Sequence, residues 1–385
     1  MLISGNTTVP DRVLDVGTTD QPRLRLLENC NDLQGDYIAL SYCWGTQGQV
    51  FTVRDNLEKF KIEIIESGLP TTVRDAITIT RALQIPFLWI DALCIIQLDE
   101  TDWKIQSAKM QEVYGQSYLT LCASNASSVH DGVFHPRCNT TLEVDSIFED
   151  LAQRSVYIIL DVGKPSSLQY VTDLTPLGAR GRCLQERLLP CRKVYLHHQQ
   201  MVWECSERFF FESGIRTGIT ATISLDMPIV KRGLNNELNR VKWEQLVQSN
   251  TACQLTHMTD RLPAIAGIAK HFATSLAARA YSLASEEVAD TGTADEADEA
   301  DDEDYGSFFD MAEKIEKETI GSTEYVAGHW KGTLVPSLLW RVLGSKQLVP
   351  SSGYGAPSWS WAPAPGQVKS ERNAMNTTIC KCGTI

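Results

Sequence analysis

The sequence predicts an α/β protein, with a parallel-sheet core followed by a mixed α+β C-terminal part. Three strand-like runs, over residues 37–44, 87–90 and 117–123, are separated by segments with helical patterns. Strands that alternate with helices are typical of a parallel sheet covered by helices. The run at 87–90 is continuously apolar, as expected for a strand that is buried on both faces.

The helices are predicted from apolar spacing and from capping residues. Residues 55–66 carry apolar side chains at a helical period, which predicts an amphipathic helix. The next helix follows Pro70, and there Thr72 with Asp75 three residues later resembles a capping box. After the strand at 87–90, Thr101 or Asp102 is expected to cap a further helix.

The second half of the chain is predicted to be less regular. Two strand-like runs flank Gln199-Gln200, which predicts a β-hairpin, and residues 264–284 are Ala-rich and helical. Residues 286–304 lack any apolar period, so we expect a disordered loop. The predicted organisation comprises an N-terminal lead-in at 1–35, the α/β core at 36–190, a mixed hairpin and helical region at 191–285, the acidic loop at 286–304, and a C-terminal segment at 305–385 that packs back on the core.

Charge and composition exclude several functional classes. The eleven acidic residues of 286–304 account for most of the net charge of −13, so the remaining chain is nearly balanced. That balance predicts no nucleic-acid partner and no membrane partner. Neither a signal peptide nor an apolar stretch of membrane-spanning length is present, which predicts a cytoplasmic protein.

Motifs for cofactors and metals are absent from the sequence. The 11 Cys residues include no C-x-x-C pair, and the chain has no G-x-G-x-x-G, no P-loop and no H-E-x-x-H. We therefore expect no metal site and no cofactor. If the protein is an enzyme, we expect an acid/base catalyst without a nicotinamide redox cofactor.

Asp91 and Cys94 directly follow the apolar strand at 87–90. The carboxyl ends of parallel strands are where ligands bind in α/β proteins. A partly desolvated Asp91 is a candidate general acid or base; the alternative is that it caps a turn or pairs with an arginine. Cys94 is a candidate nucleophile, and its apolar neighbours give the alternative of a packed thiol.

Aromatic and hydroxyl groups near Asp91 are candidates for binding a substrate. Ser41, Tyr42 and Trp44 end the first strand, where they can line a pocket beside Asp91. Trp103, which follows the strand at 87–90, is a further binding candidate. Packing in the aromatic core is the alternative for Trp44.

A second polar cluster consists of Arg182, Gln185 and Glu186. Glu186 is a candidate acid/base catalyst, and Arg182 can bind a carboxylate or phosphate through its planar guanidinium; Gln185 is a further binding candidate. The alternative is an internal salt bridge. The adjacent His197 and His198 are expected to have surface and packing roles, with catalysis as the alternative.

Four separated blocks of the chain occur in the order found in one fungal family. They are Tyr37-Ile-Ala-Leu-Ser-Tyr-Cys-Trp-Gly45, Leu69-Pro70 with Arg74-Asp-Ala76, the run from Phe87 to Tyr114, and Arg182-Cys-Leu-Gln-Glu186. The sequence resembles the heterokaryon-incompatibility (HET) domain. The resemblance implies a fungal source, a TIR-like core and a role in growth arrest and cell death when genetically different hyphae fuse. Some TIR domains cleave NAD.

The chain departs from the family pattern at three positions. Leu98 stands where the family usually has Asp, Gln106 where it commonly has Glu, and Cys183 where it usually has Trp. An amide has no titratable proton, so Gln106 cannot supply a TIR-type catalytic glutamate. NAD cleavage is therefore disfavoured for this chain.

Two functions follow from the resemblance and from the candidate residues. The first is incompatibility and cell-death signalling, in which the core assembles with itself or with another protein and has a ligand pocket near Asp91. The alternative is a small-molecule enzyme of fungal secondary metabolism. It would use Asp91, Glu186 or Tyr42 for acid/base isomerisation, cyclisation or hydrolysis.

Overall fold

The chain divides into two compact units in the computed structural model. The first comprises residues 1–179 and 189–222, and the second comprises 180–188 and 223–385. The structure describes residues 7–30, 32–135, 141–144, 156–159, 175–181, 183–205, 208–214, 216–218, 237–253, 255, 261–262, 264–272, 325–326, 329–330, 340–342, 360–362 and 367–370. The predicted acidic loop at 286–304 and Arg182 lie outside these ranges.

The first unit is built on a nine-stranded sheet, with the strand order β11-β10-β9-β8-β5-β3-β4-β1-β2. Its strands are β1 (Arg12–Gly17), β2 (Pro22–Glu28), β3 (Tyr37–Ser41), β4 (Phe87–Trp89), β5 (Leu119–Cys122), β8 (Arg192–Leu196), β9 (Met201–Cys205), β10 (Arg208–Phe211) and β11 (Arg216–Gly218). A separate hairpin joins β6 (Thr141–Val144) to β7 (Val156–Ile159).

The α/β class is confirmed, but the sheet is mixed. Four neighbouring strands, β8, β5, β3 and β4, run parallel. Antiparallel strands extend the sheet on both sides, with β1 beside β4 and β9 beside β8. The predicted hairpin around Gln199-Gln200 is β8–β9 and is confirmed. The sequence analysis assigned no strand before residue 37, because Arg12 and Asp15 interrupt the apolar pattern of β1 although both are buried.

Four helices of the first unit connect the parallel strands: α1 (Arg54–Ile62), α2 (Thr71–Ala82), α3 (Asp91–Cys94) and α4 (Glu100–Gln116). The predicted caps of α2 and α4 are wrong. Pro70 is the N-cap of α2, so Thr72 lies inside the helix. Asp99 caps α4, because its carboxylate accepts the backbone N–H groups of Thr101 and Asp102 at 3.0 Å each.

Helix α4 packs on the parallel strands through aromatic side chains. The Tyr37 hydroxyl donates to the carbonyl of Val113 at 2.6 Å. The Trp89 and Tyr114 rings meet edge to face with centroids 5.6 Å apart. Such aromatic pairs add to the free energy gained from burying apolar surface, so α4 is fixed on the face of β3 and β4.

The second unit contains α5 (Cys183–Leu188), α6 (Glu237–Ala252) and two small sheets. The sheets pair β12 (Tyr325–Val326) with β13 (His329–Trp330), and β14 (Trp340–Val342) with β15 (Val368–Ser370). The Thr251 hydroxyl on α6 accepts the Val368 N–H at 2.9 Å, which joins α6 to β15. Across the described parts of both units, no helix is long and apolar enough to cross a membrane.

Candidate functional site

The strand order brings the carboxyl ends of β3 and β4 to one edge of the sheet, because the two strands are adjacent and parallel. The chain passes from β3 to its neighbour β4 and then returns across β3 to β5 on the other side. In α/β proteins, ligands bind at the carboxyl ends of parallel strands. The part of this edge beside Trp44 and Asp91 is named the crevice.

Trp44 and Asp91 meet in this crevice. The indole Nε1 of Trp44 donates to both carboxylate oxygens of Asp91, at 3.2 Å to Oδ1 and 3.0 Å to Oδ2. The Ala92 backbone N–H donates to Asp91 Oδ1 at 2.7 Å. Both side chains are half-buried. Asp91 is thus held in one orientation by donors from the ends of two adjacent strands.

Tyr42 and Ser41 are placed at the end of β3 and are buried. The side-chain amide of Gln49 donates to the Tyr42 hydroxyl at 2.6 Å, so the loop after Trp44 folds back over the strand end. Gly48 in this loop has a φ of +75°, and a Cβ there would lie 2.0 Å from His130 Nε2. The positive φ favours glycine at this position, and the nearby His130 ring shows that the loop after β3 lies against the loop after β5.

The loop after β5, residues 124–133, is a part of the site that the sequence analysis missed. The Asp131 carboxylate accepts the backbone N–H groups of Ser127 and Ser128 at 2.8 and 3.0 Å, and it also accepts both serine hydroxyls. Hydrogen bonds from Ser127 and then Ser128 hold the pKa of Asp131 below its usual value. The sequence Ser-Ser-x-x-Asp was the available indication of this turn.

The same loop is tied to the start of α2. The Gly132 N–H donates to the Thr72 hydroxyl at 3.1 Å, and the Val133 N–H donates to Asp75 Oδ2 at 2.8 Å. Thr72 and Asp75 therefore bind the loop after β5, in place of the predicted capping box. Loops from β3 and β5 and the N-terminus of α2 are thereby joined at the edge of the sheet that carries Asp91.

Cys94 is completely buried, with 1% of its surface exposed. Burial raises the pKa of the Cys94 thiol to about 12, so the thiolate needed for nucleophilic attack is disfavoured near neutral pH. This environment favours the packed thiol over the nucleophile. The carbonyl of Cys94 accepts a hydrogen bond from Arg12 at 2.9 Å.

Arg12 and Asp102 form a buried ion pair that braces the turn after α3. The two side chains are 6% and 12% exposed, and both terminal guanidinium nitrogens of Arg12, Nη1 and Nη2, contact the carboxylate. Asp102 Oδ2 also accepts the Ile96 N–H at 2.8 Å. Arg12 additionally lies 3.7 Å from Glu28. The sequence analysis missed this role because Arg12 is far from Asp102 in the chain.

Gln106 and Trp103 lie on α4, close to this brace in sequence. The buried Gln106 amide donates to Asp11 Oδ2 at 3.3 Å, and Lys109 Nζ contacts the same oxygen at 2.5 Å. Burial raises the pKa of Asp11, but the hydrogen bonds from Lys109 and Gln106 outweigh burial and hold it below its usual value. Trp103 is 38% exposed, which leaves part of its ring accessible.

The second predicted cluster lies in the second unit. Gln185 and Glu186 are both buried on α5. The Gln185 side chain donates to the carbonyl of Ala264 at 2.7 Å, so it joins α5 to the helical residues 264–272 of the same unit. Arg182 is outside the described residues. In the described ranges, no group of three or more His, Cys, Asp or Glu side chains is placed to hold a metal ion.

Comparison with known proteins matches one part of the chain. Neither the curated proteins nor the solved structures include a match to this chain. A family model described as heterokaryon incompatibility protein (HET) matches residues 37–186. The match begins at the first residue of β3 and ends on α5, so it includes β3, β4, α4 and the Trp44–Asp91 pair. The chain therefore carries a HET domain over residues 37–186.

Proposed function

We propose that the protein acts in incompatibility-type cell-death signalling and that the crevice beside Asp91 binds a small-molecule ligand. The Trp44–Asp91 pair at the carboxyl ends of β3 and β4 is the observation that carries this proposal. A fungal source, a TIR-like arrangement of the parallel strands and assembly with itself or another protein belong to the same proposal.

The crevice has the properties of a recognition site. A half-buried carboxylate in a fixed orientation can accept hydrogen bonds from a ligand without reorganising first, which lowers the entropic cost of binding. Trp44 adds an aromatic surface next to that carboxylate, and aromatic groups with a few fixed polar atoms are typical of ligand pockets. The buried Tyr42 and Ser41 form the end of the strand beneath them.

Signalling is better supported than catalysis by the groups around the crevice. The thiol of Cys94 is buried and protonated, so it is a poor nucleophile. The side chain of Gln106 contacts Asp11 and has no titratable proton for acid/base work. A binding role requires only the orientation of Asp91, whereas a catalytic role also requires a second reactive group.

The test is inducible expression of the full chain in a filamentous fungal host. The set comprises the wild type, Asp91→Asn and a matched control, Asp20→Asn, at an exposed aspartate in the turn between β1 and β2. Colony growth and viability staining measure cell death, the cellular NAD level measures NAD cleavage, and mass spectrometry of extracts measures new metabolites. Immunoblots verify that the three proteins accumulate equally.

Cell death with wild type and Asp20→Asn, but not with Asp91→Asn, is the expected result. A new metabolite that disappears with Asp91→Asn, without any death, would instead establish the acid/base enzyme. A fall in NAD that depends on the chain would overturn the inference drawn from Gln106. If growth, NAD and metabolites all stay unchanged, the proposed signalling function is wrong.

A further inference from the structure

The β8–β9 hairpin of the first unit buries charged and polar side chains. Side chains alternate between the two faces of each strand. One face carries Lys193, Tyr195 and Glu204, of which none is more than 6% exposed, together with the fully buried Val202. The other face carries the partly or largely exposed Val194, Met201 and Trp203, together with the buried Leu196. Buried strand faces are ordinarily apolar, so a buried lysine and glutamate on one face are unusual.

The buried charges of the hairpin are paired with each other. Lys193 and Glu204 are direct cross-strand partners, and Lys193 Nζ lies 2.9 Å from Glu204 Oε1. The Tyr195 hydroxyl donates to the other oxygen, Glu204 Oε2, at 2.5 Å. Apolar residues of similar size would often be as stable at such positions. Stability therefore does not explain why this face is polar.

The polar face continues into the turn that joins β8 to β9. His197 is two residues after Tyr195, and Gln200 is two residues before Val202, so both continue the buried face of the hairpin. They are 4% and 6% exposed. The His197 and His198 rings lie side by side in the turn, with centroids 4.4 Å apart and ring planes tilted by 37°. Since β8 is parallel to β5, this turn lies at the carboxyl edge of the parallel strands.

Two amide oxygens in this turn have unmet hydrogen-bonding capacity. Among the described residues, no donor is in hydrogen-bonding range of the buried oxygens Gln199 Oε1 and Gln200 Oε1. A buried carbonyl oxygen without a donor costs about 1–3 kcal/mol, so native proteins rarely leave one unpaired. Two such oxygens on adjacent residues indicate that a further molecule supplies the donors.

We propose that the turn of the β8–β9 hairpin is a second binding site, which takes a neutral small molecule that carries several hydroxyl groups. A hydroxyl donates to an amide oxygen and also accepts from an amide nitrogen, so it satisfies the glutamine side chain in either orientation. Lys193 and Glu204 cancel each other's charge, and a charged ligand would pay an uncompensated desolvation cost beside them. The half-buried His198 ring, beside that of His197, provides carbon surface that the ligand's carbon skeleton can contact.

The test uses saturation-transfer NMR on the full-length chain, with D-ribose and glycerol as probes. Acetate and methylammonium serve as charged comparisons. Ribose and glycerol should receive saturation from the protein, whereas the two ions should not. Gln200→Met keeps the side-chain volume but removes the amide, and the loss of one hydrogen bond should weaken ribose binding about fivefold. Gln34→Met removes an exposed amide that contacts Thr8 and should leave binding unchanged.

Thermal melts establish that each variant is folded, and Gln199→Met, at a half-buried position, replaces Gln200→Met if the latter unfolds. Equal transfer to ribose in wild type and in the folded glutamine variant would overturn the proposal. So would the absence of transfer to both neutral probes, or a long-lived bound water as the only molecule detected in the turn. Stronger transfer to either ion would overturn the choice of a neutral ligand.

Discussion

Asp102 and Asp91 are two carboxylates of the same short segment with very different surroundings. Asp102 is contacted by two nitrogens of the buried Arg12 guanidinium and by the Ile96 N–H. Asp91 is half-buried and is contacted by the Trp44 indole and the Ala92 N–H. Asp102 thus fixes the chain where it turns into α4, while Asp91 is held at the edge of a crevice.

The difference shows how partners assign a role to a side chain. A guanidinium that contacts a carboxylate through two nitrogens in a buried site satisfies most of its hydrogen-bonding capacity. Asp91 is contacted instead by the neutral Trp44 indole and is only half-buried. Substitution of Asp102 should therefore affect stability, and substitution of Asp91 should affect ligand binding.

The largest expected loss of stability follows from breaking the Arg12–Asp102 ion pair. Asp102→Ala leaves the buried Arg12 charge without its main partner, so the free energy of unfolding should fall by about 3–5 kcal/mol. Urea denaturation followed by tryptophan fluorescence measures this change. The double variant Arg12→Met with Asp102→Leu should recover much of the loss. A loss below 1 kcal/mol for Asp102→Ala would show that the brace is not structural.

The matched substitution at the crevice should change stability much less. In Asp91→Asn the amide oxygen can still accept hydrogen bonds from the Trp44 indole and from the Ala92 N–H. The free energy of unfolding should therefore change by about 1 kcal/mol or less. The same urea titration measures it. If Asp91→Asn is as destabilising as Asp102→Ala, both carboxylates are structural and the contrast between them disappears.

Gln106→Glu introduces the residue that the resemblance leads us to expect at this position, and it tests the contact of α4 with Asp11. The new carboxylate would face Asp11 Oδ2, which the Gln106 amide now contacts at 3.3 Å. Loss of this hydrogen bond and like-charge repulsion should destabilise the protein by about 1–2 kcal/mol at neutral pH. We therefore expect the variant to have a lower melting temperature than the wild type at pH 7.

The pH dependence of the same variant gives an independent measurement. The folded-state pKa of Asp11 is below its usual value, so its contribution to stability is present above the unfolded-state pKa and is lost as the pH falls through the folded value. A Glu at 106 raises the pKa of Asp11 by repulsion and removes this contribution. The difference in the free energy of unfolding between wild type and Gln106→Glu should therefore become smaller when the pH falls below about 4. A difference in the free energy of unfolding that does not change with pH would contradict the contact between residue 106 and Asp11.

A stabilising substitution is expected at Leu98, which lies between the two carboxylates in the sequence. Its φ is +65° and it is 92% exposed, so it occupies a left-handed conformation with little packing to offset the strain. Leu98→Gly should raise the free energy of unfolding by about 1 kcal/mol. Leu83→Gly is the matched control, since Leu83 is also exposed but has an ordinary φ of −80°, and it should not stabilise. Equal effects at both positions would refute strain at Leu98.

Local patterns predicted the elements that position the crevice. The apolar runs over β3, β4 and β5 and their alternation with helices predicted the parallel strands, and the rule for strand ends predicted a candidate site beside Asp91. The expectation that Trp44 lines a pocket beside Asp91 rests on the same rule. These features depend on residues close together in the chain.

Contacts between residues that are far apart in the chain could not be predicted from local sequence patterns. The strand β1 was missed because its charged residues Arg12 and Asp15 are buried through ion pairs with distant residues. The true cap of α4, Asp99, lies just before Thr101 and Asp102, and all three are capping residue types, so the residue type alone did not identify the cap. Likewise, the contact of Gln106 with Asp11 joins residues far apart in sequence, so its burial had no local pattern.

Growth arrest by Asp91→Asn, measured against cellular protein level, tests most directly whether the crevice is the functional site. An induction series in the fungal host gives growth rate as a function of abundance for wild type, Asp91→Asn and Asp20→Asn. We predict that Asp91→Asn permits normal growth at abundances at which the other two arrest it. Arrest by Asp91→Asn at the same abundance as the wild type would contradict a functional role for the carboxylate beside Trp44.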